Sequence, residues 1–173
     1  MKNNIYIKVL SIVILTLFSF TVSAGEKKNT SEHQYNFYTG NFDFSDHKQK
    51  AILLGFQHQN ESLGRNTFLG NASPITGGFI TENSAAYLYT GVEWNYAMSD
   101  KLKFTPSFAP GLYHEGDGKD LGHVLEFKTE VQLSYSISES TNLGMSYNHI
   151  SNASLGDKNP GANSYMLNLL KKF

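Results

Sequence analysis

The sequence predicts an all-β fold, an eight-stranded antiparallel transmembrane β-barrel. Three observations carry that prediction: segments that alternate apolar and polar residues, runs too long for the strands of a sandwich, and an apolar leader that marks export. The leader comes first along the chain. MKNNIYIK precedes an uncharged run from Val9 to Val22, and Val22-Ser23-Ala24 offers the small residues that signal peptidase needs. The run is shorter than the roughly 20 apolar residues of a spanning helix, and no basic stop-transfer cluster follows it. Residues 1–24 are therefore expected to be a signal peptide, cleaved after Ala24, and residues 25–173 a single outer-membrane β-barrel domain.

Composition narrows the field further. The chain has no cysteine, so neither a disulfide framework nor a thiolate site is available. A formal net charge of −1 with no basic patch removes the electrostatic footprint of a nucleic-acid binder. Aromatics are plentiful, 10 Tyr, 12 Phe and 1 Trp, while charged residues make up only 17%. That mixture suits β-strands and the aromatic girdles of a membrane barrel.

The strands follow in order. Less regular segments near 34–43, 48–59 and 66–80 open the barrel. In 86–96, Leu88, Val92, Trp94 and Tyr96 oppose Tyr89, Glu93 and Asn95. In 101–113, Leu102, Phe104, Pro106, Phe108 and Leu112 oppose Lys103, Thr105, Ser107, Ala109 and Gly111. The clearest segment is 121–137, with Leu125, Phe127, Val131, Leu133, Tyr135 and Ile137 on one face and Glu126, Lys128, Glu130, Gln132, Ser134 and Ser136 on the other. Segment 143–151 sets Leu143, Met145 and Tyr147 against Gly144, Ser146 and Asn148, and the last sets Tyr165, Leu167 and Leu169 against Ser164 and Asn168. The longest runs match the roughly 9–11 residues a tilted strand needs to cross hydrocarbon, whereas sandwich strands average about 5 or 6. In lipid the sheet must close, and an even strand number leaves both termini on the periplasmic side. Short turns at Ser99-Asp100 and 138–140 mark that side, and the longer 114–120 and 152–161 segments the exterior. The chain ends in Phe173 after an alternating strand, the kind of terminal aromatic that outer-membrane proteins present to the assembly machinery.

One position breaks the lipid-facing pattern. The alternation that makes Leu143, Met145 and Tyr147 face lipid also places His149 and Ser151 there. Polar groups in hydrocarbon cost on the order of a few kcal/mol, less near the interface, so the pair calls for a reason. A hydroxyl two residues from an imidazole on one strand face lies within rotamer reach, given the ~3.3 Å rise per residue. That is a nucleophile beside a general base.

The stretches GLYHEGDGKDLGHVLEF (111–127) and HISNASLGDKNPG (149–161) resemble the lipid A 3-O-deacylase (PagL) family of outer-membrane barrels. The resemblance extends from about Gln34 to Phe173, and H-x-S-N-A followed by N-P-G before the last strand is its specific part. It implies a serine esterase that removes the 3-position 3-hydroxyacyl chain of lipid A in the outer membrane of a Gram-negative bacterium. Lipopolysaccharide is then the substrate, outer-membrane lipids are the surroundings, and no cofactor is required. His149 and Ser151 match the family's His and Ser, and Asn152 matches the residue expected to help hold the oxyanion, a donor typically worth about 3 kcal/mol. The family's acid is a Glu near the start of the last strand, and that place falls on Asn163. A hairpin centred near Gly156 sets residue 163 opposite 149. An amide carbonyl holds the imidazole tautomer but supports the imidazolium less than a carboxylate does. The rival reading is a non-catalytic barrel with a structural, adhesion or lipid-binding role, and a homodimer stays open in either case.

Other polar clusters read as architecture. Glu93, Glu126, Lys128 and Glu130 alternate into the lumen as ion pairs that fill a narrow barrel, which also disfavours a pore. Glu115, Asp117 and Asp120 form a solvated loop without EF-hand spacing, and the six histidines show no metal-ligand pattern, so no metal site is expected.

Overall fold

The computed structural model describes residues 33–46 and 49–173; the expected signal peptide, 1–24, lies outside them. Eight strands form the wall, at His33–Phe42, Ala51–Asn60, Gly70–Thr81, Ala86–Trp94, Leu102–His114, Leu125–Ser138, Thr141–Ser151 and Ala162–Lys172. Each pairs antiparallel with its chain neighbour, and the first pairs with the eighth, so the sheet closes without an edge. Closure is what lipid demands, because no water is there to satisfy an open edge. Two short strands, Arg65–Thr67 and Tyr96–Ala97, extend hairpins beyond the wall.

The alternation predicted from sequence sets the two faces. Leu54, Ile80, Leu88, Leu133, Met145 and Leu167 are exposed on the outer wall, while Gln57, Glu93, Lys128, Gln132, Asn148 and Asn168 are buried in the lumen. The lumen is a packed polar core. Lys128 Nζ pairs with Glu130 at 3.0 Å and lies 4.0 Å from the centre of the Tyr89 ring. Tyr89 donates to Gln57 at 3.0 Å, and Gln57 donates to Glu93 at 2.9 Å. Tyr87, fully buried, donates to the carbonyls of Ala109 and Glu126, and a Cβ at Gly111 would stand 2.5 Å from its ring. Glycine at that wall position gives the ring its space.

Both termini of the barrel lie at one end, where Phe173 N–H donates to the His33 carbonyl and its ring sits edge-on to Tyr35. Loop lengths at the two ends differ from the simple expectation. The turn end carries the longer 61–69 segment, braced by a 3₁₀ turn at Glu61–Leu63 under an Asn60 cap, beside short turns at 98–101 and 139–140. The loop end has one tight turn, 82–85, where Thr81 Oγ1 accepts from Ala85 N–H, beside the longer 115–124 and 152–161 segments.

Candidate active site

The seventh strand, Thr141–Ser151, buries Ser146, Asn148 and Ile150 and turns Leu143, Met145, Tyr147, His149 and Ser151 outward. His149 and Ser151 thus share the outer face at the loop end, one pleat repeat apart. Their partners across the sixth strand are Thr129 and Phe127.

Register supplies the third residue. Asn163 pairs directly with His149 across the seventh and eighth strands, as a hairpin centred near Gly156 predicts. Asn163 Oδ1 lies 2.9 Å from His149 Nδ1 and also accepts from the Tyr147 hydroxyl at 2.7 Å. A carbonyl oxygen has no proton to give, so Nδ1 carries the hydrogen and Nε2 is the basic nitrogen. No described residue bonds Nε2 or Ser151 Oγ. The imidazole is held from one side and left open on the other.

Gly161 completes the seat. Its φ is +61°, and a Cβ there would stand 2.9 Å from His149 Cε1. The ring therefore rests on bare backbone, and both the left-handed conformation and the close approach call for glycine. In the sequence Gly161 is only the last residue of the N-P-G motif, because its contact with His149 is set by tertiary structure.

Asn152 faces inward and is fully buried; its Nδ2 donates to the carbonyls of Leu121 at 2.7 Å and Lys158 at 2.9 Å. Its backbone N–H donates to Asn159 Oδ1 at 3.1 Å. That differs from the expected orientation toward an oxyanion. The reason is parity, since the residue after an outward serine points inward, where its Nδ2 finds the two backbone carbonyls. The turn that follows is strained: Ala153 and Ser154 have φ of +53° and +63°, a conformation costing roughly 1–2 kcal/mol for each non-glycine residue. Their amides donate to no described residue.

Aromatic rings flank the site. Phe44, Tyr147 and Tyr165 cluster on one side, with Phe44 and Tyr165 centred 4.4 Å apart, and Phe108 stacks on Phe127 on the other. The lysine-clasped loops lie above, with Asp120 bound to Lys158 Nζ at 2.6 Å, a bond that holds the Asp120 carboxyl below the usual carboxylate range. Among the described residues no three side chains are grouped to hold a metal. A large concavity of about 1040 Å³ on the outer wall, between Phe37, Leu54, Phe56, Ile80 and Leu88, excludes His149 and Ser151. It is largely apolar, lipid-facing surface.

A family model described as lipid A 3-O-deacylase (PagL) matches residues 50–172. The chain belongs to the lipid A 3-O-deacylase (PagL) family. The crystal structure of the outer membrane enzyme PagL superposes with a TM-score of 0.64 at 16% identity, covering 81% of this chain and 99% of that one. Neisserial surface protein A (NspA) superposes with a TM-score of 0.52 at 10% identity, over 82% of this chain and 96% of that one. A de novo designed transmembrane β-barrel gives 0.58 at 10% identity, over 86% and 100%. These likenesses show the fold, a closed transmembrane-type β-barrel. No curated protein matches the sequence. Membership in the PagL family makes the chain a member of a hydrolase family whose substrate is lipid A.

Proposed function

We propose that the protein is an active serine esterase that removes the 3-position ester-linked 3-hydroxyacyl chain of lipid A, with Ser151 as nucleophile, His149 as base and Asn163 as orienting residue. One observation carries the reading: the Nδ1–Asn163 bond leaves Nε2 basic and unengaged, on the same outward face as an unengaged serine hydroxyl. Ser151 Oγ attacks the ester carbonyl as its proton passes to Nε2. The tetrahedral intermediate collapses as His149 returns that proton to the departing sugar oxygen. Water then attacks the acyl-serine with His149 again as base, releasing the 3-hydroxy fatty acid. The free amides of the strained Ala153-Ser154 turn are the donors best suited to the oxyanion, with Asn152 fixing the turn from below. The acyl chain already lies in the membrane beside Phe127 and Tyr165, so the barrel needs a cradle rather than an enclosed pocket, and proximity supplies much of the rate.

Asn163 in place of a carboxylate favours a second reading, a non-catalytic barrel that keeps the motif as scaffold. Mass spectrometry of lipid A from outer membranes carrying the protein separates the two. Loss of one 3-hydroxyacyl chain, abolished by Ser151→Ala in a protein that still folds as a barrel, supports the esterase. An unchanged lipid A spectrum from folded wild-type protein refutes it.

A further inference from the structure

The segment after the first strand docks onto Asn163 and brings a buried carboxylate with it. Phe44 N–H donates to the Asn163 carbonyl at 3.0 Å. Asp43 is 1% exposed and divides its two oxygens. Oδ2 accepts from Lys119 Nζ at 2.6 Å, while Oδ1 accepts from Ser45 Oγ at 3.3 Å and from the Asn163 backbone N–H at 3.4 Å. Asn163 Nδ2 donates in turn to Ser45 Oγ at 3.4 Å. The donors therefore run in one direction, from His149 Nδ1–H to Asn163, from Asn163 to Ser45, and from Ser45 to the Asp43 carboxylate.

We propose that Asp43 is a positioning residue that takes over, through Ser45 and Asn163, the electrostatic part of the missing triad acid. This rests on the esterase reading above. When Nε2 takes the Ser151 proton, the ring becomes positive, and each dipole of the chain presents its negative end toward it. Aligned hydrogen bonds polarise one another, so the Asp43 charge is felt at the ring without being adjacent to it. No proton moves past Nδ1. The charged and titratable groups facing Asp43 are Lys119, which also lies 3.7 Å from Asp46, and Tyr113, whose hydroxyl donates to the Lys119 carbonyl. Lys119 engages only Oδ2, and the oxygen aimed at the site remains available to it.

Two substitutions separate this role from simple loop anchoring. Asp43 has a φ of +48°, a conformation that asparagine also adopts readily, so Asp43→Asn removes the charge and keeps the backbone. Ser45→Ala cuts the chain while leaving both the Lys119 ion pair and the Phe44–Asn163 bond. In the full chain acting on lipid A in detergent, each should lower kcat by roughly five- to tenfold with KM unchanged. The limb of the kcat–pH profile that reports the base should shift, and the double variant should be no worse than either single. With Asn163→Glu supplying a carboxylate directly, Ser45→Ala should become silent. Unchanged kcat and pH limb in folded Asp43→Asn or Ser45→Ala overturns the proposal. If the wild type proves inactive, the esterase reading fails separately, and NMR of the His149 Nδ1–H decides this one. Upfield movement of that resonance in both variants supports the relay, and an unmoved resonance overturns it.

Discussion

Two polar clusters in this barrel use similar residue types to opposite ends. In the lumen, Lys128 pairs with Glu130 and lies against Tyr89, and Gln57 links Tyr89 to Glu93. On the outer face, His149 and Ser151 keep a basic nitrogen and a hydroxyl uncommitted, while Asn163, Tyr147 and Gly161 hold the imidazole in place. The difference teaches that a polar cluster which spends its donors on its own acceptors is architecture. One that is held from one side but leaves a complementary donor and acceptor open on the other is suited to chemistry.

Lys128→Met leaves the mostly buried Glu130 carboxylate without its cation in the lumen, which should cost about 3 kcal/mol in urea unfolding of the micelle-bound barrel. Deacylation per folded molecule should stay within twofold; a collapse of activity in folded protein would place the lumen in the mechanism. Asn163→Glu should act the other way, raising kcat at least about tenfold with little change in stability, because a carboxylate supports the imidazolium better than an amide does. Steady-state kinetics that show no gain would mean that Asn163, with what stands behind it, already supplies the support a carboxylate would give. Gly161→Ala, which forces a Cβ toward His149 at a left-handed position, should reduce kcat several-fold and cost about 1 kcal/mol of stability.

The smallest expected effect is a pH response of the loops above the site. The Lys158 ion pair, then the Gly122 amide, holds the Asp120 carboxyl below its ordinary range. A group depressed in the folded state contributes fully above its unfolded pKa, and that contribution is lost as pH falls through the lower folded value. Hydrogen-exchange protection factors in residues 152–161, corrected for the intrinsic pH dependence of exchange, should therefore be flat through neutral pH and fall only in acid below the usual carboxylate range. Asp120→Asn should make the loop insensitive there, and the pair is solvent-exposed, so salt should weaken it as well.

Much of this was legible in order along the chain. The segment read as 121–137, which the structure begins at Leu125, was readable because a period of two is imposed by the backbone itself, and lipid outside with polar packing inside gives each face its own composition. The same parity carried His149 and Ser151 to the outer face, and hairpin symmetry carried Asn163 to His149. Parity also shows why Asn152 points inward, a consequence that the motif alone conceals. Gly161, Tyr147, Ser45 and Asp43 were not legible as parts of the site. Their contacts with His149 and Asn163 depend on how a loop folds back and on which strand closes the ring.

The barrel, its two faces and the pair of residues that break the outer one follow from local alternation and from the solvent on either side. Which tautomer His149 holds, what supports Asn163, and the carboxylate from the far end of the chain that stands behind them come from the folded arrangement. Those are matters of closure: the first strand and the eighth become neighbours only when the sheet returns upon itself, and no local pattern encodes what meets across that seam.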